Sequence, residues 1–354
     1  MSLGVAIVGC GLIGRKRAAA LPGGRLVACA DVDLARAEAL ARDASTRAVA
    51  RTAGAPAPAP ADDADALSRH VVSTSRWQDV VSRPDVDVVI VATTNDALAL
   101  ITRAAIDAGK HVLVEKPAAR TLEELAPVMV AARGRRRRVR VGFNHRFHPA
   151  LRKAREIVDG GALGPLMFVR GRYGHGGRPG YEKEWRANPG LSGGGELIDQ
   201  GVHLIDLSRW FLGPFSTIEG FAATYYWDMP VDDNAFLTLR TATGACAFLH
   251  ASCSEWKNLF SLEIYGRQGK LAVDGLGGSY GLERLTWYRM LPEMGPPETT
   301  AWEYPRGDQS WALEFAAFVD DIHAGREPDP GLEDAKAALE VVETVYDRSG
   351  FRRD

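Results

Sequence analysis

The apolar positions of the first third of the chain fall in short, nearly continuous runs separated by helical stretches. Leu3-Gly-Val-Ala-Ile-Val-Gly9 is such a run, bounded by glycine, and suits a strand buried on both faces of a parallel sheet. A helix is expected from about Ile13. A second buried strand, Arg25–Asp31, ends in an acid, and a helix rich in Ala, Arg, Glu and Leu follows over Leu34–Ala44. Residues 45–69 interrupt this rhythm. Ala-Pro-Ala-Pro-Ala-Pro at 55–60 and Asp62-Asp-Ala-Asp65 read as a low-complexity, mobile insertion. The alternation then resumes with a strand over Val86–Thr93, a helix over Ala97–Ala108, a strand over His111–Val114, a helix over Thr121–Arg133 and a strand over Val139–Phe143. Strand and helix in alternation are the signature of a doubly wound α/β unit.

Beyond about residue 150 the period shortens. Leu166–Tyr173, Thr217–Ala223, Ala235–Thr241, Cys246–Cys253, Phe260–Tyr265, Lys270–Val273 and Leu285–Met290 read as successive strands, with turn signals such as Thr243-Gly244 between them. One helical run, Glu196–Phe211, interrupts them, and two helices, about Gln309–Ala324 and Leu332–Asp347, close the chain. The expected fold class is α/β. A Rossmann domain over 1–149 precedes an α+β domain over 150–330 with an open, predominantly antiparallel sheet. A C-terminal helix over 331–354 is expected to pack back on the Rossmann domain.

Composition narrows the picture. The 354 residues suggest two domains at about 150 residues each. Lys plus Arg number 43 and Asp plus Glu 45, a net charge of −2, which lacks the basic footprint of a nucleic-acid coat and the charge excess of broad disorder. Six arginines crowd Arg133–Arg140, read as a solvated helix end. Cys10, Cys29, Cys246 and Cys253 form no C-x-x-C pair and sit in apolar runs, as reduced core residues of a cytoplasmic protein do. No apolar stretch reaches the ~18 residues of a membrane span. The run from Leu3 lacks the basic residues that begin a signal peptide.

Gly9-Cys-Gly11-Leu12-Ile13-Gly14 matches G-x-G-x-x-G after a buried strand and at the start of a helix, the context that gives the pattern meaning. Gly9 permits the tight turn, Gly11 the approach of a pyrophosphate, and Gly14 close helix–strand packing. The helix N-terminus offers free N–H groups to phosphate. Asp31 ends the second strand, 17 residues past Gly14, where a carboxylate accepts from both ribose hydroxyls of an adenosine. It also repels a 2′-phosphate, by about 4 kcal/mol for unit charges ~4 Å apart at an effective dielectric near ~20. NAD is therefore expected over NADP, with Arg36 keeping NADP open. Asp33 serves equally as a second acid or as the N-cap of the next helix.

Further segments carry chemistry. Val89-Ile-Val-Ala-Thr93-Thr94-Asn95 leads into a helix. Ala108-Gly-Lys-His-Val-Leu-Val-Glu115-Lys116-Pro117, Gly142-Phe-Asn144-His-Arg146-Phe-His-Pro149 and Ser192-Gly-Gly-Gly195-Glu-Leu-Ile-Asp199-Gln-Gly-Val-His203 follow. A lysine at the end of a parallel strand points into the ligand crevice, and its charge lowers the cost of an alkoxide. Asp199 and His203 are four apart on one helix and share a face. Histidine titrates near neutrality and can take a hydroxyl proton. The three glycines before them permit close approach of a ligand or cofactor.

Together these segments resemble the Gfo/Idh/MocA oxidoreductases, named for glucose–fructose oxidoreductase and inositol dehydrogenase. The resemblance implies that Lys116 and His203 flank the carbon that loses hydride, with His203 as acid/base and Asp199 orienting substrate or imidazole. It implies that Thr93, Thr94, Asn95, Glu115, Lys116, Pro117 and Asn144 line the dinucleotide, that Trp185-Arg186 reaches its nicotinamide end, and that Arg146 takes the usual basic position near substrate. Leu98 stands where relatives often carry histidine, so the cofactor contact there is expected to be apolar.

The loop Tyr173–Arg186 looks too polar and glycine-rich for core. Tyr173, Arg178, Tyr181 and Lys183 are candidate sugar contacts. Trp227–Asn234 adds acids suited to an amino sugar. His145 and His148 lack a third metal ligand at useful spacing, so no metal is expected.

The expected function is hydride transfer between nicotinamide and a ring carbinol of a sugar, nucleotide sugar, cyclitol or aminoglycoside-type glycoside. Two alternatives stay open: an NAD-dependent glycoside-cleaving enzyme working by transient oxidation and elimination, and a non-catalytic sugar or dinucleotide sensor. A homodimer or homotetramer through the C-terminal sheet is implied by the resemblance. No nucleic-acid or membrane partner is expected.

Overall fold

A computed structural model describes residues 2–53 and 71–351. The chain divides into two compact units: 1–119, 123–142 and 311–332 form the first, and 120–122, 143–310 and 333–354 the second.

The first unit runs β1 (Leu3–Val8), α1 (Leu12–Ala19), β2 (Gly24–Ala30), α2 (Leu34–Ala53), β3 (Val72–Thr74), α3 (Trp77–Val81), β4 (Val88–Val91), α4 (Asn95–Asp107), β5 (His111–Glu115), α5 (Leu122–Arg135) and β6 (Val139–Gly142). Its six strands lie in the order β3-β2-β1-β4-β5-β6, each paired parallel to its neighbour. Parallel strands sandwiched by helices are dry on both faces, which is why Val88–Val91 is buried at every position. The order reverses between β1 and β4, and ligands of open α/β sheets bind beyond the strand ends at such a switch point. The short β3 and α3 carry too little apolar pattern to be read from sequence. Helix α2 extends to Ala53, so 45–53, expected in the insertion, is helical; Ala and Arg there favour helix. The Ala-Pro repeat lies outside the described residues. The arginine run is not all a solvated helix end. Arg140, in β6, is buried and pairs with Asp321 at 2.6 Å, and Arg138 pairs with Glu327.

The second unit begins with α6 (Pro149–Asp159) and β7 (Leu166–Gly174). After a one-turn helix at Pro189–Ser192, a π-helical turn at Leu197–Gly201 runs into α7 (Val202–Leu212). Strands β8 (Phe215–Ala223), β9 (Asn234–Thr241), β10 (Cys246–Ser252), β11 (Leu259–Gly266), β12 (Gly269–Asp274), β13 (Glu283–Arg289) and β14 (Glu298–Tyr304) follow. The eight-stranded sheet has the order β14-β13-β12-β11-β7-β10-β9-β8, antiparallel except for the β7–β10 pair. One face is covered and one open, so burial alternates along β11: Phe260, Leu262 and Ile264 point in, Ser261, Glu263 and Tyr265 out. Helix α7 lies on the covered face. A Cβ on Gly171 of β7 would come within 3.1 Å of Leu204 on α7, so glycine there lets the helix approach the sheet.

The closing helices α8 (Ser310–Ala324) and α9 (Leu332–Ser349) depart from the expected division. Phe315, Phe318 and Val319 of α8 join the core of the first unit with Val5, Ile7, Leu26 and Ile90. Residues 333–354, expected on the Rossmann domain, belong instead to the second unit, where the Tyr346 hydroxyl donates to Asp232 at 2.5 Å. Apolar periodicity marks both helices but does not say which core each completes. No helix among the described residues is long and apolar enough to cross a membrane.

Candidate active site

In the first unit the glycine loop joins β1 to α1 at the switch point. Gly9 has φ +94°, and a Cβ there would lie 2.3 Å from the Ala92 carbonyl oxygen. A Cβ on Gly14 would lie 1.9 Å from the Gly9 oxygen. Gly11 differs: nothing stands within 4 Å of its missing side chain, so the loop is open at the helix N-terminus, where phosphate oxygens need room. Leu12 is exposed, Ile13 half-buried. The Asp31 carboxylate is fixed by the backbone N–H of Cys10 at 2.7 Å and of Asp33 at 3.0 Å, each oxygen keeping a lone pair for a ribose hydroxyl. Asp33 caps α2 through the Ala35 N–H at 3.1 Å and pairs with Arg36 at 3.2 Å. These residues fit a dinucleotide with a free adenosine ribose.

The loop after β4 carries half-buried Thr93 and Thr94 and buried Asn95, with Thr94 Oγ1 donating to Asp96 at 2.6 Å. Lys116 follows β5, half-buried, before buried Pro117. Two expected contacts do not hold as read. Leu98 is wholly buried and offers no surface to a cofactor, because it falls on the inward face of α4. The Glu115 carboxylate accepts from Arg17 Nε at 2.7 Å inside the fold instead of facing a ligand.

In the second unit a different set converges. Asp199 lies in the π-helical turn and His203 in the first turn of α7, both nearly buried. Such π turns interrupt helices at functional positions with high frequency. Arg186 donates through Nε to Asp199 Oδ2 at 2.9 Å, and that carboxylate holds the guanidinium firmly charged. Arg186 also lies over the Trp185 ring at 4.6 Å. The His203 ring lies 3.8 Å from His145 and 6.0 Å from Tyr173, centroid to centroid. Burial pushes the Tyr173 phenol well above its usual range, so it stays protonated beside Tyr280. His175 approaches Glu196 at 3.8 Å, and burial pushes its pKa down. An imidazole, a carboxylate and a guanidinium, walled by aromatic rings, can orient a polyol and move a proton.

Several expected residues lie elsewhere or act otherwise. Arg146 is buried and holds Asp206 with two bonds, at 2.8 and 2.5 Å, and Asp334 at 2.9 Å; it is part of the fold's ion-pair network and not a substrate contact. Asn144 is buried, donating to Ser310 Oγ at 2.8 Å. Tyr181, expected in a loop too polar for core, packs with Ala187, Met229, Val231 and Cys253. Arg178 is exposed and pairs with Glu184 at 2.7 Å; Lys183 is exposed. The glycines at 193–195 admit protein, not a ligand: their missing Cβ atoms would strike Arg120, Tyr346 and Asp232. Asp232 and Asp233 are fully buried and hold backbone N–H groups, so neither serves an amino sugar. His145, His175, Glu196 and Tyr280 join the site without having been read as part of it. His145 had a signal, standing next to Asn144 in a segment already singled out; Tyr280 had none.

Residues 3–143 match the model of an oxidoreductase family with an NAD-binding Rossmann fold, and residues 151–272 match the GFO/IDH/MocA C-terminal domain. The chain belongs to the Gfo/Idh/MocA oxidoreductases. Among curated proteins this Gfo/Idh/MocA chain is 31% identical to levoglucosan dehydrogenase of Pseudarthrobacter phenanthrenivorans over 229 residues, 57% of this chain and 59% of that protein. It is 31% identical to inositol 2-dehydrogenase of Gluconacetobacter diazotrophicus over 218 residues, 60% of this chain and 55% of that protein. In these matches it spans a little over half the length of the curated relatives. A levoglucosan dehydrogenase structure in complex with NADH and levoglucosan shares the fold at TM-score 0.82 and 22% identity, over 99% of this chain and 98% of that one.

Proposed function

We propose that the protein is an NAD-dependent dehydrogenase that transfers hydride between nicotinamide and a ring carbinol of a sugar, nucleotide sugar, cyclitol or aminoglycoside-type glycoside. The observation that carries this reading is the Asp199–Arg186 ion pair, whose carboxylate is buried in the helical turn that leads into His203. The likeness to levoglucosan and inositol dehydrogenases supports the substrate class. NAD, when bound, supplies a hydride acceptor at nicotinamide C4. His203 takes the hydroxyl proton as hydride leaves, Asp199 orients the hydroxyls, and Lys116 donates to the oxygen and stabilises its developing charge. Gly9–Gly14 and Asp31 hold the pyrophosphate and the adenosine ribose.

Titration with NADH and NADPH, read by nicotinamide fluorescence after a check for cofactor already bound, tests the first half. NADH binding much tighter than NADPH binding, with NADH formed on a sugar or cyclitol, supports the reading. Binding of neither, with none copurified, overturns it. Retained NAD with no net NADH points instead to transient oxidation.

The open face of the eight-stranded sheet carries Phe168, Phe221 and Phe248, each at least 39% exposed, with Phe236 stacked on His250 at 4.3 Å. We assign this face to a second copy of the chain, as dimer or tetramer, and the protein to the cytoplasm. Light scattering on Phe248→Glu reads the assembly; an unchanged mass rejects this face.

A further inference from the structure

Strands β7, β8 and β10 end on the same side of the sheet, because β7 and β10 run parallel and β9 runs antiparallel to both β8 and β10. The loop after β7 leads into the Tyr181–Arg186 segment. The loops after β8 and β10 raise two aromatic rings into solvent: Tyr226 is 54% and Trp256 71% exposed. A soluble surface has no packing reason to present both.

Both rings are held in place. The buried Asp233 carboxylate accepts the backbone N–H groups of Tyr225, Tyr226 and Trp227 at 2.9, 2.6 and 3.0 Å, fixing the first loop from below. Trp227 donates its indole N–H to the Cys253 carbonyl at 2.9 Å, tying that loop to the second. Trp256 has φ +58°, a left-handed conformation costly for so bulky a residue. Strain of this kind persists only where surrounding structure enforces it.

The rings continue inward. Trp256 and Tyr226 are 4.8 Å apart and nearly perpendicular, Tyr226 and Trp227 5.0 Å, Trp227 and Tyr181 5.5 Å, and Tyr181 and His175 5.5 Å. His175 reaches Glu196 in the set that contains Asp199. The ring contacts thus run from the exposed pair through half-buried Trp227 and buried Tyr181 to His175, which anchors the pair on the segment that carries the candidate substrate groups. Perpendicular rings form a stepped surface, and exposed Asp228 and Lys257 flank it. The negative face of an aromatic ring suits the C–H face of a pyranose, with the rim charges in reach of its hydroxyls.

We propose that Tyr226 and Trp256 form a subsite for a second sugar ring, so that the substrate is a glycoside of at least two rings. This rests on the proposed dehydrogenase reading for the ring that is oxidised. The subsite sets affinity and takes no part in hydride or proton transfer.

The test uses the full chain with bound NAD, and Trp256→Gly and Tyr226→Ala variants. Glycine accepts the left-handed backbone at 256, and Tyr226→Ala gives an independent check on folding. Intrinsic tryptophan fluorescence is titrated with glucose, cellobiose and maltose, and kcat and KM are measured for whichever of them are oxidised. The expected result is saturable disaccharide binding that weakens about tenfold in either variant, with glucose changed less than about twofold and kcat unaltered. Equal weakening for both sugar classes, no saturable disaccharide binding by the parent protein, or a variant that changes the oligomeric mass overturns the subsite. If none of the three sugars is oxidised, the fluorescence titration still decides the subsite, and the dehydrogenase reading stands or falls on the NADH titration.

Discussion

Arg17 is wholly buried and donates through Nε to Glu115 Oε1 at 2.7 Å. Its other arm reaches Glu314 of α8, and the Trp311 ring covers the guanidinium at 4.5 Å. One cation thus joins the helix behind the glycine loop, the strand end that precedes Lys116, and a helix from the far end of the sequence. Arg17→Leu leaves two buried carboxylates without their partner, a defect that costs about 3–5 kcal/mol. We expect Tm to fall on the order of 10 °C by differential scanning fluorimetry. A change of a degree or two would show that the pair contributes little.

Asp31 receives Cys10 and Asp33 N–H groups and, in the proposed reading, ribose hydroxyls. Asp31→Ser removes the charge that repels a 2′-phosphate. NADH affinity should fall about tenfold while the ratio of NADPH to NADH dissociation constants narrows. A ratio that stays constant would dissociate Asp31 from cofactor choice.

In the proposed reading the proton step places its weight on His203. His203→Asn keeps a polar side chain of similar reach and removes the base, so kcat should fall by about 10²–10⁴-fold. NADH affinity should stay within about twofold, since the groups proposed to hold the dinucleotide are elsewhere. Equal loss in binding and turnover would recast His203 as a cofactor contact.

His111 begins β5 and accepts the Arg138 N–H through Nδ1 at 3.1 Å. Burial, reinforced by Arg137 and Arg138, pushes its pKa down to about 4. The unfolded chain therefore binds the extra proton first as pH falls. The stability present above the unfolded value, near ~6.5, is lost as pH drops toward the folded one. Urea unfolding between those limits should show a slope with pH that is shallower in His111→Asn; identical slopes would remove His111 from the account.

The Tyr346 hydroxyl donates to Asp232 at 2.5 Å and accepts the Gly195 N–H at 3.0 Å, just before the π-helical turn with Asp199. Burial pushes the Asp232 pKa up, and the bonds it accepts from the Tyr346 hydroxyl and the Leu197 and Gly195 N–H groups oppose it. Tyr346→Phe removes both bonds but leaves the Gly195 N–H donating to Asp232 Oδ1 at 2.9 Å, so the cost is on the order of 1 kcal/mol. The Tm should fall accordingly, and an unchanged Tm would refute the contribution.

Legibility in the sequence followed the range of the interaction. The first-unit strands, the glycine loop and Asp31 were readable because burial on both faces, a φ of +94° at Gly9 and a capped helix start are demands that neighbouring residues express locally. The same reasoning failed at β14, where alternation is weak, and at Gly193–Gly195. There glycine is required by Arg120, Tyr346 and Asp232, which are distant in sequence.

Residue type alone determined that the chain carries a dinucleotide loop, an acid at the second strand's end, and an Asp-x-x-x-His pair in a helical run that interrupts the strands of a largely antiparallel sheet. Only tertiary structure decided what each charged side chain faces. Arg146 was spent on Asp206 and Asp334, Glu115 on Arg17, and Asp232 on the backbone, while His145 and Glu196 were turned toward the site. A buried charge must find a partner, and which one it finds depends on contacts between segments up to 297 residues apart.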